Sequence, residues 1–196
     1  MAIDLHKGVR INIPKKDTVI QYGQQVILED IAQFYVVIGW DIGEKCEDDL
    51  DIDISVFMLN DKQKIVSDDY FIFYNNVISP DGSVSISSDS KYGNNDENIK
   101  IDTNKINPNV REICFFATRY GDEARIANFS SIKNLYLYIY DYLTDEIVLK
   151  YEIIDNFTDE KSIEFGRIFQ QNYNWFFLAT GEGSNDGLQQ LIDRYC

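Results

Sequence analysis

Asp49-Leu50-Asp51-Ile52-Asp53-Ile54-Ser55-Val56-Phe57-Met58-Leu59 sets acidic and hydroxyl side chains in alternation with apolar ones. In an extended chain, successive side chains point to opposite faces. Ile52, Ile54 and Val56 therefore face a core, while Asp51, Asp53 and Ser55 face away from it and converge on a common point. The stretch predicts a strand that begins in an acidic loop. Upstream, Phe34-Tyr35-Val36-Val37-Ile38 is β-branched and continuous enough for a strand buried on both faces. Gly39-Trp40-Asp41 follows it and places an acid at the strand's end.

Downstream, Asn60-Asp61 reads as a turn into Lys64-Ile65-Val66. Tyr70-Phe71-Ile72-Phe73-Tyr74 is nearly all aromatic and stops at Asn75-Asn76. Ser79-Pro80-Asp81-Gly82 carries the proline and glycine of a β-turn, and Val84 and Ile86 continue a short strand. Residues 87–98 then offer nine side chains with amide, carboxyl or aliphatic hydroxyl oxygen and one apolar-leaning residue, Tyr92. Such a loop cannot bury itself, so it is either mobile or ordered by something it binds.

The rest of the chain reads as scaffold. Val9, Ile11 and Ile13, then Val19 and residues 26–28, mark edge strands. Residues 99–101, 113–118, 135–140, 148–153 and 175–180 are further strands, with Thr144-Asp145 as a turn. Thr158-Asp159-Glu160 carries helix-start chemistry, so a helix is expected over about 158–171, and a second over 188–195. Seven to ten short strands with frequent turns predict a mainly β fold. The expectation is a two-sheet β-sandwich with one or two short helices near the C-terminus, a single domain over residues 1–196. Tyr136, Tyr138 and Tyr140 alternate with apolar residues on one strand. Helices are expected to cover that tyrosine face, the alternative being an exposed partner surface.

Charge narrows the function classes. Of a net charge of −15, residues 41–102 hold fifteen acids against five lysines. This surface repels nucleic-acid phosphates and anionic lipid and attracts cations, so no nucleic-acid partner is expected. No apolar run reaches the length of a membrane span, which argues against direct membrane insertion. Residues 1–17 lack the apolar stretch of a secretory signal. Cys46, Cys114 and Cys196 are odd in number and widely spaced, fitting reduced thiols with Cys114 in the core rather than a disulfide or zinc framework. The expectation is a cytoplasmic chain, in which Asn128-Phe129-Ser130 and Asn156-Phe157-Thr158 match the glycosylation sequon by chance.

Carboxylates packed together repel by about 4 kcal/mol per pair near 4 Å at an effective dielectric of about 20. Such a cluster either raises its pKa values or recruits a cation. Asp51, Asp53, Asp81, Asp89, Asp96 and Glu97, with Asn75 and Asn76, would bring oxygen donors from several loops. Oxygen donors in irregular number suit calcium better than magnesium, and no His or Cys lies near to favour zinc, copper or iron. The pattern is not an EF-hand, since the glycine after Asp89 falls at the fifth loop position and no Glu stands at the twelfth.

Two other classes compete. The single histidine, His6, makes a nucleophilic triad improbable, and a polyanionic loop is the wrong setting for an acid–base carboxylate pair, so the chain is read as a non-enzyme. Gly181-Glu182-Gly183-Ser184-Asn185-Asp186-Gly187 lies between a strand and a helix as a dinucleotide fingerprint would. Its third glycine is one residue late and its acids would repel a pyrophosphate, so it reads as a turn.

Across the whole chain these blocks resemble the TerD-like tellurium-resistance and general stress proteins. The resemblance is carried by Leu5-His6-Lys7-Gly8, Gly39-Trp40-Asp41, Asp51-Ile52-Asp53-Ile54-Ser55 and Ser67-Asp68. It continues through Phe71-Ile72-Phe73-Tyr74-Asn75-Asn76, Ser79-Pro80-Asp81-Gly82-Ser83-Val84, Asp89, Gly93, Asp96-Glu97, Asn128-Phe129 and Phe165-Gly166. The resemblance implies a calcium-binding β-sandwich, with two ions, acting in resistance to tellurite and other chemical stress as a metal-ordered interaction module. It implies partners among other stress-resistance proteins, an integral membrane protein included, and a location peripheral to the inner membrane through them. The implied ligand set is Asp41, Asp51, Asp53, Asn75, Asn76, Asp81, Asp89, Asp96 and Glu97. An alternative, a small-molecule or cyclic-nucleotide-binding sandwich, stays open. Ile86 and Tyr70 stand where the family usually has His and Asp, and the acidic loop is short, with Asn94-Asn95 in place of Gly and Asp.

Overall fold

A computed structural model describes residues 10–11, 17–28, 31–42, 52–87, 96–119, 129, 132–155 and 157–196. Among them run thirteen strands and one α-helix. The first seven strands are β1 (Arg10–Ile11), β2 (Thr18–Ile20), β3 (Gln25–Ile27), β4 (Gln33–Ile42), β5 (Ile52–Leu59), β6 (Phe71–Ile72) and β7 (Val84–Ser87). Then come β8 (Asp96–Asp102), β9 (Glu112–Arg119), β10 (Ile132–Asp141), β11 (Ile147–Ile153), β12 (Ser162–Gln171), β13 (Asn174–Ser184) and α1 (Leu188–Tyr195). The count exceeds the expected seven to ten because short edge pieces, such as β1 and β6, pair as separate strands.

The strands form two sheets, ordered β1-β3-β13-β12-β9-β5-β6 and β2-β11-β10-β4-β8-β7. Pairing is antiparallel except for β1 with β3 and β2 with β11. One apolar layer lies between the sheets. Ile52, Ile54, Val56 and Met58 of β5 enter it with Val36 and Ile38 of β4, Ile99 and Ile101 of β8, and Leu137 and Ile139 of β10. The alternation expected of β5 is thus realised, with Asp53 half-buried and Ser55 fully buried on its other face.

The helix expected over residues 158–171 is corrected by the structure. From Ser162 to its end the segment is strand β12, paired with β9 on one side and β13 on the other. The Glu160 carboxylate accepts the backbone N–H groups of Thr158 and Asp159, so the apparent helix cap closes a turn instead. Ile163 and Phe165 are buried at period two, and a bulge between Glu164 and Gly166 restores the inward direction at Ile168. A Cβ on Gly166 would sit 2.5 Å from the Phe177 ring, so this bulge needs glycine.

Helix α1 packs on the outer face of the seven-stranded sheet. Leu191 and Tyr195 join Phe57, Leu59, Phe71, Cys114 and Phe116 in a second apolar cluster, with the Phe57 and Tyr195 rings 5.0 Å apart. Cys114 is core, as expected; Cys46 and His6 lie outside the described residues. The expectation that helices cover Tyr136, Tyr138 and Tyr140 is also corrected. Those residues lie on the outer face of the other sheet, half-buried, and α1 is on the opposite side of the sandwich.

The same outer face that carries α1 holds a buried charge network. Arg167 donates through Nη2 to Glu164 Oε2 at 2.8 Å and through Nη1 to Glu112 Oε1 at 3.1 Å. Burial pushes the Glu164 carboxyl above its usual range even though Arg167 opposes the shift. Removing the cation would leave two acids in a site that hydrates them poorly. Arg167→Met is expected to lower unfolding free energy by about 3–5 kcal/mol, read from urea denaturation. A change under about 1 kcal/mol would show that the acids find water without it.

Candidate metal centre

At one end of the sandwich the pleat divides the acids between two stations. Asp96 and Glu97 are adjacent on β8, so they face opposite ways. Asp96 pairs with Gly39 and lies on the outer face, whereas Glu97 pairs with Ile38 on the core-facing side. Two neighbouring carboxylates therefore serve separate places.

The outer station is shaped by Gly39. A Cβ at this position would come within 2.3 Å of Asp96 Oδ1 and of the Tyr136 phenol. Glycine thus leaves the notch into which ring and carboxylate fit. The Tyr136 hydroxyl donates to Asp96 Oδ1 at 2.5 Å, and burial with this bond pushes the phenol well above its ordinary pKa. Strand β10 bulges between Lys133 and Tyr136, and Asn134 takes a φ of +51°, which asparagine tolerates. From that bulge the Asn134 amide donates to Asp41 Oδ2 at 2.7 Å. Asp41 itself is exposed.

The inner station lies at the free edge of β5. Strand β6 pairs with β5 only at Val56 and Phe57, so beyond them side chains of both faces reach a cavity of about 440 Å³. Its walls are Asp53 and Glu97, with Ile52, Ile54, Tyr74, Val77, Ile86 and Ser87. Burial raises the Glu97 carboxyl, and the Asp53 charge raises it further. Ile86, where a histidine is usual in the resembled family, adds apolar wall beside these acids.

Asn75, Asn76 and Asp81 sit in the hairpins that flank this cavity. The Phe73 and Asn76 backbones exchange hydrogen bonds of 3.0 and 2.9 Å around an exposed Tyr74-Asn75 corner. The Asn76 amide donates to the carbonyls of Asp69 and Phe71 at 3.0 and 2.7 Å. Asp81 Oδ1 accepts the Ser79 hydroxyl and the Ser83 hydroxyl and N–H, while Oδ2 accepts the Asn107 N–H. Burial pushes the Asp81 carboxyl up, but these bonds reverse the shift and leave it below its usual range. Asn76 and Asp81 thus hold turns in shape. Tyr70, where the resembled family usually has Asp, is buried and accepts the Asn107 amide at 2.8 Å.

Asp51 and Asp89 lie outside the described residues. Among the described residues, no three His, Cys, Asp or Glu side chains gather closely enough to hold a metal. What does come together is the Asp53–Glu97 pair at the inner cavity; Asp41 and Asp96 share the outer face, each bonded to a different residue of β10. Sequence reasoning missed the buried Glu112–Arg167–Glu164 network; charged residues between Ile163, Phe165 and Ile168 on a β-period were the available signal. The glycine-rich segment after Thr180 continues β13, where Cβ atoms on Gly181 and Gly183 would meet Tyr151 and Phe157, so these glycines serve packing.

Comparisons with known proteins agree with the fold. The TerD domain family model matches residues 1–195. The chain is 31% identical over 199 residues to general stress protein 16U of Bacillus subtilis (strain 168), covering 100% of this chain and 97% of that one. It is 28% identical over 198 residues to tellurium resistance protein TerD of Serratia marcescens, with 100% and 97% covered. The solved structure of a homologue of telluride resistance protein (TerD) from Streptomyces coelicolor A3(2) aligns with a TM-score of 0.60 at 12% identity. That match covers 83% of this chain and 95% of the other, and it bears on the fold alone.

Two outcomes follow from the geometry. Gly39→Ala fills the notch and is expected to destabilise by about 1–3 kcal/mol in thermal melts, unless the Tyr136 ring swings out freely. Asp81→Ala is expected to cost about 2–3 kcal/mol at neutral pH. Because the folded-state pKa of Asp81 is depressed, its contribution is present above the ordinary value of 3.8 and is lost as pH falls through the folded value. Wild type and variant stability curves should therefore converge in acid; parallel curves would contradict the assignment.

Proposed function

This chain belongs to the TerD family of tellurium-resistance and stress-response proteins, and we propose that it works there as a calcium-binding interaction module. Metal at the sandwich rim orders the acidic surface, and the ordered surface recruits partner proteins. The observation that carries this reading is the inner cavity, where Asp53 and Glu97 face a shared space and burial and like charge both penalise the Glu97 carboxylate. A divalent cation removes both penalties at once.

The donors fit a hard cation. Among the described residues neither His nor Cys lines the cavity, and its side-chain oxygens are the Asp53 and Glu97 carboxylates, the Ser87 hydroxyl and the Tyr74 phenol. Calcium accepts such oxygens, completed by water, in irregular geometry, whereas magnesium demands a tighter octahedron. Asp53 and Glu97 would hold one ion. Asp41 and Asp96, on the other face, would serve a second. What the metal supplies is charge neutralisation and cross-linking of strands from both sheets.

The relatives' names, tellurium resistance and general stress, support a role in chemical-stress resistance alongside other proteins of that response. Among the described residues no helix is long and apolar enough to cross a membrane. Work at the cytoplasmic membrane face would then run through an integral membrane partner.

Adding calcium to chelator-treated protein is expected to raise the melting temperature, with about 2.7 kcal/mol gained at 100 times Kd. Glu97→Gln gives the sharper test, because its two effects have opposite signs. It should stabilise the metal-free protein and abolish most of the calcium response by calorimetry. A variant that loses stability without metal, or keeps the full response, would remove Glu97 from the site.

A further inference from the structure

The outer face of the six-stranded sheet carries a cleft that shares only Asp41 with the calcium reading. It has a volume of about 570 Å³ and lies over β10 and β11. Tyr136 and Tyr138 form one wall, their ring centroids 4.6 Å apart. Among the described residues the acids Asp41, Glu152 and Asp155 line it against a single lysine, Lys133. Ile154, at 87% exposure, stands at its margin. Strand β2 pairs with β11 only at residues 149–151, so Glu152 and Ile153 lie beyond that pairing.

We propose that this cleft docks an arginine-rich segment of a partner protein, whose guanidinium groups stack on Tyr136 and Tyr138 and pair with Glu152 and Asp155. Aromatic faces attract cations, and a planar guanidinium both stacks and bonds carboxylates through its fork of donors, which an ammonium cannot do. The sheet face already holds cations against rings and carboxylates within the chain. Lys100 Nζ sits 3.9 Å from the Tyr142 ring centroid, and Lys150 pairs with Asp17 at 3.2 Å. The Tyr138 hydroxyl donates to Glu152 Oε1 at 2.9 Å, which holds ring and carboxylate side by side.

Charge selects this occupant among the alternatives. At a net charge of −15, a second copy of the chain is repelled, as are nucleic acid and anionic lipid. A cationic peptide is attracted over long range and then read by the rings. The proposal goes beyond the calcium reading and depends on neither Asp53 nor Glu97.

The test is fluorescence anisotropy of a labelled Arg-Gly repeat nonapeptide on the full chain, in chelating buffer at low salt, so that its result is separate from calcium. The arginine peptide is expected to bind about tenfold tighter than the matching lysine peptide. Tyr138→Leu should weaken it about tenfold, while Tyr138→Phe, which keeps the ring and loses only the hydroxyl bond to Glu152, should weaken it less. The double change Glu152→Gln with Asp155→Asn should also weaken it. Asp159→Asn with Asp193→Asn, which removes the same charge elsewhere, should not. Equal loss in both double variants would reduce the effect to general attraction and overturn the proposal. So would indifference to Tyr138→Leu at unchanged melting temperature, or equal binding of the two peptides. Concentration-dependent self-association abolished by Tyr138→Leu would assign the cleft to a second copy and overturn it equally.

Discussion

A single apolar layer shared by two sheets decides which way every other side chain in this molecule must point. Once Ile52, Ile54 and Val56 are committed to that layer, Asp53 and Ser55 have no choice of face. The same commitment by Ile38 and Ile99 sends Glu97 inward and Asp96 outward, although they are neighbours in the chain. Carboxylates survive near such a layer only at strand ends and edges, where water or an ion can reach them. The rim is therefore a consequence of the packing.

The two outer faces of the sandwich are finished differently. The seven-stranded sheet is capped by α1, whose Leu191 and Tyr195 close over Phe57 and Phe116. On the same face the Arg167 guanidinium holds two acids that water hydrates poorly. The six-stranded sheet carries no helix among the described residues and presents half-buried tyrosines instead. One face is thus closed by apolar contact and an ion-paired charge network. The other offers rings and acids to whatever arrives.

Irregularities place the acids on the six-stranded sheet. Gly39 leaves a notch, the bulge at Asn134 redirects β10, and the Tyr136 ring fills the notch and reaches Asp96. None of these three features would matter alone. Together they fix one carboxylate in a buried place and leave another, Asp41, exposed beside it.

Much of this was legible in the residue order. Alternation over 51–59, the proline–glycine turn at residues 79–82 and the closing helix at 188–195 each carry a local cause that no distant contact overrides. Strand β12 was not legible, because Thr158-Asp159-Glu160 satisfies backbone donors equally well in a helix cap and in a turn. Only pairing with β9 and β13 chose between them. The Asx and carboxylate chemistry of Asn76 and Asp81 announced polar loops, and only the fold shows which backbone and hydroxyl groups those side chains bond. The apposition of Asp53 with Glu97, residues from different sheets, depends on how the sandwich closes. Periodicity assigns a side chain to a face of its own strand, and only tertiary packing brings two such faces within reach of each other.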